Sequence, residues 1–292
     1  MQVKEVLQKT TKFFRDKGFD SPRLETELLI ASALGWERMK LYLNYEYPMT
    51  ESELGACRDL VRRRASGEPS AYILGRKGFY NHTFKVNPAV LIPRPETEML
   101  VEQATEWAKR ESPAARVVDL GTGSGCIGLS VLAEVSGGRL CAVDISEAAI
   151  SVARENAEAL GLSSRATFIC ADADTLSEDV IVEVLGGRAD LVVANPPYIA
   201  EDDPEVQEDV RKFEPKQALF APDRGLGRIV AWAKTAATVA RPGAFVMFEI
   251  GHEQGSQAQD IFSSTQMFRD VEIVRDHADR ERFIRCFRIE ED

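Results

Sequence analysis

Asn195-Pro196-Pro197-Tyr198 directly follows the run Asp190-Leu191-Val192-Val193-Ala194. Proline lacks a backbone N–H and fixes φ, so a strand cannot continue through the pair and the loop after it is stiff. Such a loop suits chemistry on a planar –NH2 group. The nitrogen of an amide or an exocyclic amine is a poor nucleophile, because its lone pair is delocalised. The Asn195 side-chain oxygen and the Pro196 carbonyl can each accept one N–H, which orients the nitrogen and raises its electron density as positive charge develops. Proline keeps its carbonyl, and the rigid pair fixes the direction of that carbonyl. Tyr198 offers a flat face for a planar group. A structural reading, in which the segment is only a rigid turn under an aromatic lid, leaves the other two motifs unexplained.

The second motif is Asp119-Leu120-Gly121-Thr122-Gly123-Ser124-Gly125, a glycine-rich turn after the apolar strand Val117-Val118. Glycines let the backbone approach a ligand and adopt dihedrals closed to other residues. Gly123, Gly125 and Gly128 satisfy G-x-G-x-x-G, a weak signal alone, whose dinucleotide reading requires a pyrophosphate at the helix N-terminus. Asp119, at the strand end, would repel an anion and welcome a cation. The order therefore favours S-adenosylmethionine, with its sulfonium and ammonium, over a nicotinamide dinucleotide. Asp144 ends the next strand, where an acid can accept hydrogen bonds from ribose hydroxyls. Asp172 follows the third strand and is expected to meet the adenine amino group, with Ala173 against the ring.

These residues need a scaffold that brings strand ends together. Between Ala115 and Ile250 the chain alternates strand patterns (116–120, 140–144, 166–170, 190–194, 244–250) with helical ones such as 146–160. Continuous apolar strands indicate a parallel sheet covered on both faces. Patterns at 271–274 and 283–289 are separated by only 275–282, too short for a helical crossover, so this pair is expected to be antiparallel. Upstream, residues 1–71 read as short helices. Thr50 and Glu53 form a capping-box signature, and Arg62-Arg63-Arg64 reads as a solvated face. Phe79-Tyr80 and Phe84-Lys85-Val86 around Asn81-His82 predict a β-hairpin. It lies in a proline-punctuated connector, 72–95, ahead of a catalytic domain over 96–292.

Composition excludes several classes. The 292 residues carry 36 Lys and Arg against 47 Asp and Glu, a net charge of −11. That balance disfavours non-specific binding to duplex DNA, which rests on neutralising phosphates. No apolar run approaches the ~20 residues of a spanning helix, and Met1–Phe14 has no continuous apolar stretch, so neither a membrane anchor nor a secretory leader is expected. Five dispersed cysteines and three scattered histidines form no redox pair and no metal-ligand spacing, so no metal is expected.

Glu68-Pro69-Ser70-Ala71-Tyr72-Ile73-Leu74-Gly75, Gly78-Phe79-Tyr80 and Val90-Leu91-Ile92-Pro93-Arg94-Pro95-Glu96-Thr97-Glu98, taken with the two motifs above, closely resemble the bacterial peptide-chain-release-factor glutamine methyltransferases, the HemK-like family. The resemblance continues at Glu214-Pro215, Ala218-Leu219, Glu249, Gly251, Gln254, Asp276 and Arg282, and spans essentially the whole chain. It implies an α/β fold: a Rossmann-like, seven-stranded methyltransferase domain behind a small all-α N-terminal domain and a hairpin linker. It also implies methyl transfer from S-adenosylmethionine to the side-chain nitrogen of the glutamine in the Gly-Gly-Gln motif of class I release factors. Gly121, Thr122, Gly123, Ser124, Gly125, Asp144, Asp172 and Ala173 are then expected to bind the cofactor, with Asp119 and Asn195 beside them. Asn195, Pro196, Pro197 and Tyr198 are expected to hold the glutamine. Arg94 and Glu98 match the linker motif and are expected at the pocket or the domain interface. The implied protein is cytoplasmic and monomeric, with the N-terminal domain helping to dock its substrate.

The chain departs from the family pattern in four places. Ala221-Pro222 replaces a Gly-Gly pair, Arg224 an Asp before Gly-Leu, Asp279 a hairpin glycine, and Ala173 a Trp or Leu beside the adenine. A nucleic-acid adenine methyltransferase would need a basic cleft and usually an inserted recognition region. A nicotinamide-dependent reductase leaves Asn-Pro-Pro-Tyr unexplained.

Overall fold

The structure, a computed structural model, describes residues 1–290. Contacts divide the chain between Arg76 and Lys77. The first unit contains the helices Val3–Asp16, Pro22–Ala33, Arg38–Leu43, Glu51–Ala65 and Ser70–Leu74. Their apolar faces meet at Val3, Val6, Ile30, Leu41, Leu54 and Cys57, all buried. The Thr50 hydroxyl accepts the Glu53 N–H at 3.3 Å and the Glu53 carboxylate accepts the Thr50 N–H at 2.7 Å, so two end donors of the fourth helix are satisfied reciprocally. The arginine run is not uniformly solvated. Arg64 pairs with Glu25 at 3.1 Å and stacks over Phe19, because its helix position faces the bundle.

The second unit begins with a hairpin of β1 (Arg76–Phe79) and β2 (His82–Lys85). Its turn is Tyr80-Asn81, one residue earlier than the sequence suggested, with Tyr80 at φ +52°. That register buries both Phe79 and Phe84, edge to face, in the catalytic core. The hairpin packs with the second unit.

The main sheet comprises β3 (Arg116–Leu120), β4 (Arg139–Asp144), β5 (Ala166–Cys170), β6 (Ala189–Ala194), β7 (Ala240–Glu249), β8 (Phe268–Arg275) and β9 (Glu281–Arg288). Its order is β5-β4-β3-β6-β7-β9-β8. Strands β3 to β7 are parallel, and β9 runs antiparallel to both β7 and β8. All six residues of β6 are buried, as a strand covered on both faces requires. The last two strands are longer than their apolar patterns, since β8 passes through a bulge at Asp270 (φ +53°). Asp279 takes a left-handed conformation (φ +60°) in the turn between them, the conformation a glycine adopts most readily there.

Register does the positioning. Val143, Leu120, Ala194 and Phe248 are successive partners across β4, β3, β6 and β7. One residue further on, Asp144, Gly121, Asn195 and Glu249 therefore stand at the same level, at the carboxyl ends where open α/β sheets bind ligands. Among the described residues no helix is long and apolar enough to cross a membrane.

Candidate active site

Two cavities lie over these strand ends. One, about 270 Å³, is lined by the Gly121–Ser124 backbone, Asp144, Asp172, Ala173 and Trp232. The other, about 500 Å³, is lined by Pro196, Tyr198, Arg224, His252 and Gln254 among others. Leu91, Arg94, Asn195 and Ala218 line both. The Asn-Pro-Pro-Tyr segment thus straddles the junction, with Pro197 facing the first cavity and Pro196 and Tyr198 the second.

The glycine loop is held from within. The Gly121 and Thr122 N–H groups both donate to the Val143 carbonyl at 2.9 Å, and Gly125 N–H donates to Thr122 O at 2.8 Å. Gly123 N–H donates to Asp144 Oδ2 at 2.9 Å, while Ser146 N–H donates to Asp144 Oδ1 at 2.9 Å. Gly128 N–H donates to Asp119 Oδ2 at 3.0 Å. The Gly121, Thr122, Gly123, Gly125 and Gly128 N–H groups are committed inside the protein and the Asp144 carboxylate lines the cavity, an arrangement that favours a nucleoside ligand over a phosphate. Side chains are excluded where the loop is tightest: a Cβ on Gly121 (φ +69°) would lie 2.5 Å from the Trp232 ring. Ser124 Oγ, beside the Cys126 thiol, is buried without an oxygen or nitrogen partner among the described residues, and Ser124 lines the first cavity. A polar ligand group is the partner that position lacks.

Asp119 does not line either cavity. Its side chain turns back under the loop, where Oδ2 also accepts the Thr122 hydroxyl at 2.7 Å and Oδ1 is buried without a partner. Its expected contact with a cationic ligand is replaced by a structural one, and Asp144 is the acid that reaches the cavity. Burial pushes the Asp119 carboxyl up to about 6, against an ordinary 3.8. Burial also raises Asp144, opposed by the N–H groups it accepts.

Glu98 is likewise absent from the cavity lining, where its neighbour Thr97 stands instead. A 3-10 turn at Pro95–Thr97 precedes the helix Glu98–Glu111 and presents the Thr97 side chain inward. Arg94 does reach both cavities. Its guanidinium donates to the buried Glu214 carboxylate at 2.6 Å, and the other Glu214 oxygen accepts the Ile92 N–H at 3.2 Å. Asp172 and Ala173 line the first cavity as expected, with Asp172 Oδ1 accepting the Asp174 N–H at 3.1 Å.

Sequence reasoning missed two lining residues on the helix Gly227–Val239. Trp232 donates its indole N–H to Asp174 at 2.9 Å, and Arg228 donates to the same carboxylate at 2.6 Å. With a small residue at Ala173, the Trp232 ring supplies aromatic surface to that wall. Their four-residue spacing puts them on one helix face, but nothing local marks that face as the one over the cavity.

Past the second proline the loop is clamped by Gln254. Its Nε2 donates to Tyr198 O at 2.9 Å and to Arg224 O at 3.3 Å, while its Oε1 accepts the Gly251 N–H at 2.9 Å. Asp223, Arg224 and Gly225 are consecutive left-handed residues (φ +54°, +57°, +87°), which presses the Gly225 Cα against the Tyr198 carbonyl. The Tyr198 hydroxyl donates to Glu249 Oε1 at 3.0 Å.

The seven-stranded sheet, its antiparallel final pair and a glycine loop built for a nucleoside define a Rossmann-like methyltransferase. Residues 5–75 match the family model described as the PrmC N-terminal domain, and residues 96–219 match the methyltransferase small domain. The chain is 40% identical over 291 residues to the release factor glutamine methyltransferase of Chlorobaculum tepidum, covering 97% of this chain and 96% of the relative. It is 40% identical over 265 residues to the Geobacter sulfurreducens enzyme of the same name, covering 90% and 89%. With the Nitratidesulfovibrio vulgaris one the figures are 39% over 267 residues, 91% and 88%. The chain belongs to the release factor glutamine methyltransferase family.

Two variants test this construction. Because Asp119 is harder to ionise folded than unfolded, its neutral form costs nothing in acid and its charge costs stability as pH rises through about 6. Asp119→Asn should therefore match the native chain near pH 4 and exceed it by up to about 3 kcal/mol above pH 6. Urea midpoints that differ equally at both pH values would reject this. A Cβ on Gly225 would lie 2.0 Å from Tyr198 O, whereas Gly161 (φ +70°) has open space. Gly225→Ala should destabilise by at least about 2 kcal/mol more than Gly161→Ala, since only the first adds a clash to backbone strain; calorimetry of the two variants decides.

Proposed function

We propose that this chain transfers the methyl group of S-adenosylmethionine to the side-chain nitrogen of the glutamine in the Gly-Gly-Gln motif of class I release factors. The observation that carries the reading is the position of Asn195 on the wall shared by two cavities, one formed by the glycine loop and Asp144, the other by Pro196 and Tyr198. A donor in the first and an acceptor in the second meet only there. Family membership supplies the substrate class, since the relatives are named as release factor glutamine methyltransferases.

When bound, S-adenosylmethionine supplies an electrophilic methyl on a sulfonium, and its product is S-adenosylhomocysteine. Asp144 would hold the ribose hydroxyls, and the Gly121–Ser124 segment would line the amino-acid portion. Asp172, Ala173 and Trp232 surround the base. Asn195 Oδ1 and the Pro196 carbonyl each accept one N–H of the glutamine amide, which fixes the direction of its nitrogen lone pair. The Tyr198 ring flanks the amide plane, and Arg94 closes the junction. No base need act before attack, because the nitrogen becomes acidic only once the new bond gives it positive charge. The proton then leaves to water. Alignment of this kind supplies up to roughly 7–11 kcal/mol in favourable cases. The N-terminal unit contributes docking surface through exposed apolar side chains such as Met39 and Leu43. A substrate that acts in translation places the reaction in the cytoplasm.

S-adenosylhomocysteine should raise the unfolding midpoint by mass action, and NADH should leave it unchanged; the reverse result refutes the cofactor. Mass spectrometry of a release factor incubated with the chain and methyl donor should show one added methyl on the Gly-Gly-Gln peptide. Asn195→Ala should lower turnover by roughly 10²–10³ with near-native product affinity. Full turnover would mean that the amide is oriented by another group.

A further inference from the structure

An asparagine amide can present either its oxygen or its NH2 to a cavity, and the two ends have nearly the same shape. Only the oxygen can accept the N–H of a substrate amide. Something must therefore decide which end of Asn195 faces inward. Asn195 Nδ2 lies 3.4 Å from Thr97 Oγ1. The same hydroxyl lies 2.6 Å from Glu249 Oε2, and Glu249 is 1% exposed. The second oxygen of that carboxylate accepts the Tyr198 hydroxyl at 3.0 Å.

Donor counting fixes the polarity. Thr97 and Tyr198 each direct their single hydroxyl hydrogen at Glu249, which in its ionised form only accepts. One goes to each oxygen. Burial pushes the Glu249 carboxyl up and Glu96 adds to that, while the Thr97 and Tyr198 hydroxyls it accepts and the Arg282 guanidinium on β9 favour its ionised form. With its hydrogen committed, Thr97 offers Asn195 only lone pairs. Asn195 must answer with its NH2, which leaves Oδ1 for the cavity. The reverse orientation would set the amide oxygen against a hydroxyl that has no hydrogen to give. Burial raises the cost of such a mismatch. Neither Thr97 nor Glu249 lines the second cavity, where the amide of the substrate sits.

We propose that Glu249 and Thr97 form a polarity relay that fixes the Asn195 amide oxygen toward the substrate nitrogen. Both are positioning residues that act through Asn195. The relay rests on the reading that Asn195 receives the glutamine amide. The same carboxylate also anchors the Tyr198 ring, so one buried charge sets both the acceptor and the flat face of the site.

The test is steady-state kinetics on an intact release factor, with product affinity measured alongside by thermal shift. Thr97→Val keeps the shape and loses the hydroxyl; Thr97→Ser keeps the hydroxyl and loses a methyl. Thr97→Val should lower kcat by roughly 10–100-fold, less than direct loss of a preorganised polar partner. Its affinity for S-adenosylhomocysteine should stay within about threefold of native, and Thr97→Ser should restore kcat to within about threefold. Glu249→Gln, whose amide can donate to one hydroxyl and free its hydrogen for Asn195, should resemble Thr97→Val. In an Asn195→Ala background, Thr97→Val should have no further effect, because coupled residues are non-additive. Native turnover in Thr97→Val overturns the relay. So does equal loss in the Ser and Val variants, which marks a packing role, and so does additivity with Asn195→Ala. If Thr97→Val does not fold, Thr97→Ala compared with Thr97→Ser decides by the same criteria. A native chain that binds product but leaves the release factor unmethylated defeats the glutamine reading itself, and the relay with it.

Discussion

Parallel strands in register bring the residues at their carboxyl ends to one level, and the site depends on that alignment. The row Val143, Leu120, Ala194, Phe248 runs across four adjacent strands. The next residue on each is Asp144, Gly121, Asn195 or Glu249, so four strand ends deliver an acid, a tight turn, an amide and a second acid to one edge. Pro196 and Pro197 make the exit from β6 abrupt, because neither can donate to a neighbouring strand. A slip of one residue in β6 would turn every buried side chain of that strand to the opposite face. The register is held by Asp190 at one end, bonded to Arg116 and Arg241, and by the proline pair at the other.

Buried carboxylates convert that edge into defined directions. Asp119 accepts a hydroxyl and an N–H and so shapes the glycine loop. Glu214 accepts the Arg94 guanidinium and the Ile92 N–H and so fixes the proline-rich segment beside the cavities. Glu249 accepts two hydroxyls and so orders the Asn-Pro-Pro-Tyr loop. Asp190, at the start of β6, holds Arg116 and Arg241 at the far end of the sheet. A buried charge is weak support for stability but strong support for a single arrangement of the donors around it, because each donor has one favourable target. Three of these four acids lie within reach of the ligand end, where direction matters more than stability.

What the sequence made legible follows from the range of each interaction. The alternation of strands and helices, the antiparallel final pair, the Thr50 cap and the roles open to Asn195 and Asp144 depend on local pattern or strand polarity, both written in consecutive residues. The motifs of Asp119 and Glu98 sit near the site, which predicts a ligand or interface contact for each. Their side-chain directions are set by the helix Cys126–Glu134 and by the turn at Pro95–Thr97, which the motifs do not encode. Trp232 and Arg228 reach the cavity from a helix that begins more than a hundred residues after the glycine loop, so only tertiary packing reveals them. The hairpin turn at Tyr80-Asn81 was displaced by one residue because burial of Phe79 and Phe84 outweighs the local turn preference of Asn81-His82.

The glycine loop shows why a motif and its chemistry can part company. Gly123, Gly125 and Gly128 meet the spacing of a dinucleotide fingerprint, and the backbone follows a strand-turn-helix path that would accommodate one. What disfavours a pyrophosphate is the use already made of several of the loop's N–H groups, together with the acid beside them. Val143 O takes two of them, Asp144 a third and Asp119 a fourth. An anion arriving there would displace bonds that hold the turn and would meet the Asp144 carboxylate at close range. The sequence hints at this through the acid at the end of each strand, but only the structure shows those acids drawing the donors inward. Cofactor choice in this fold therefore rests less on the glycines than on the carboxylates that have taken their hydrogens.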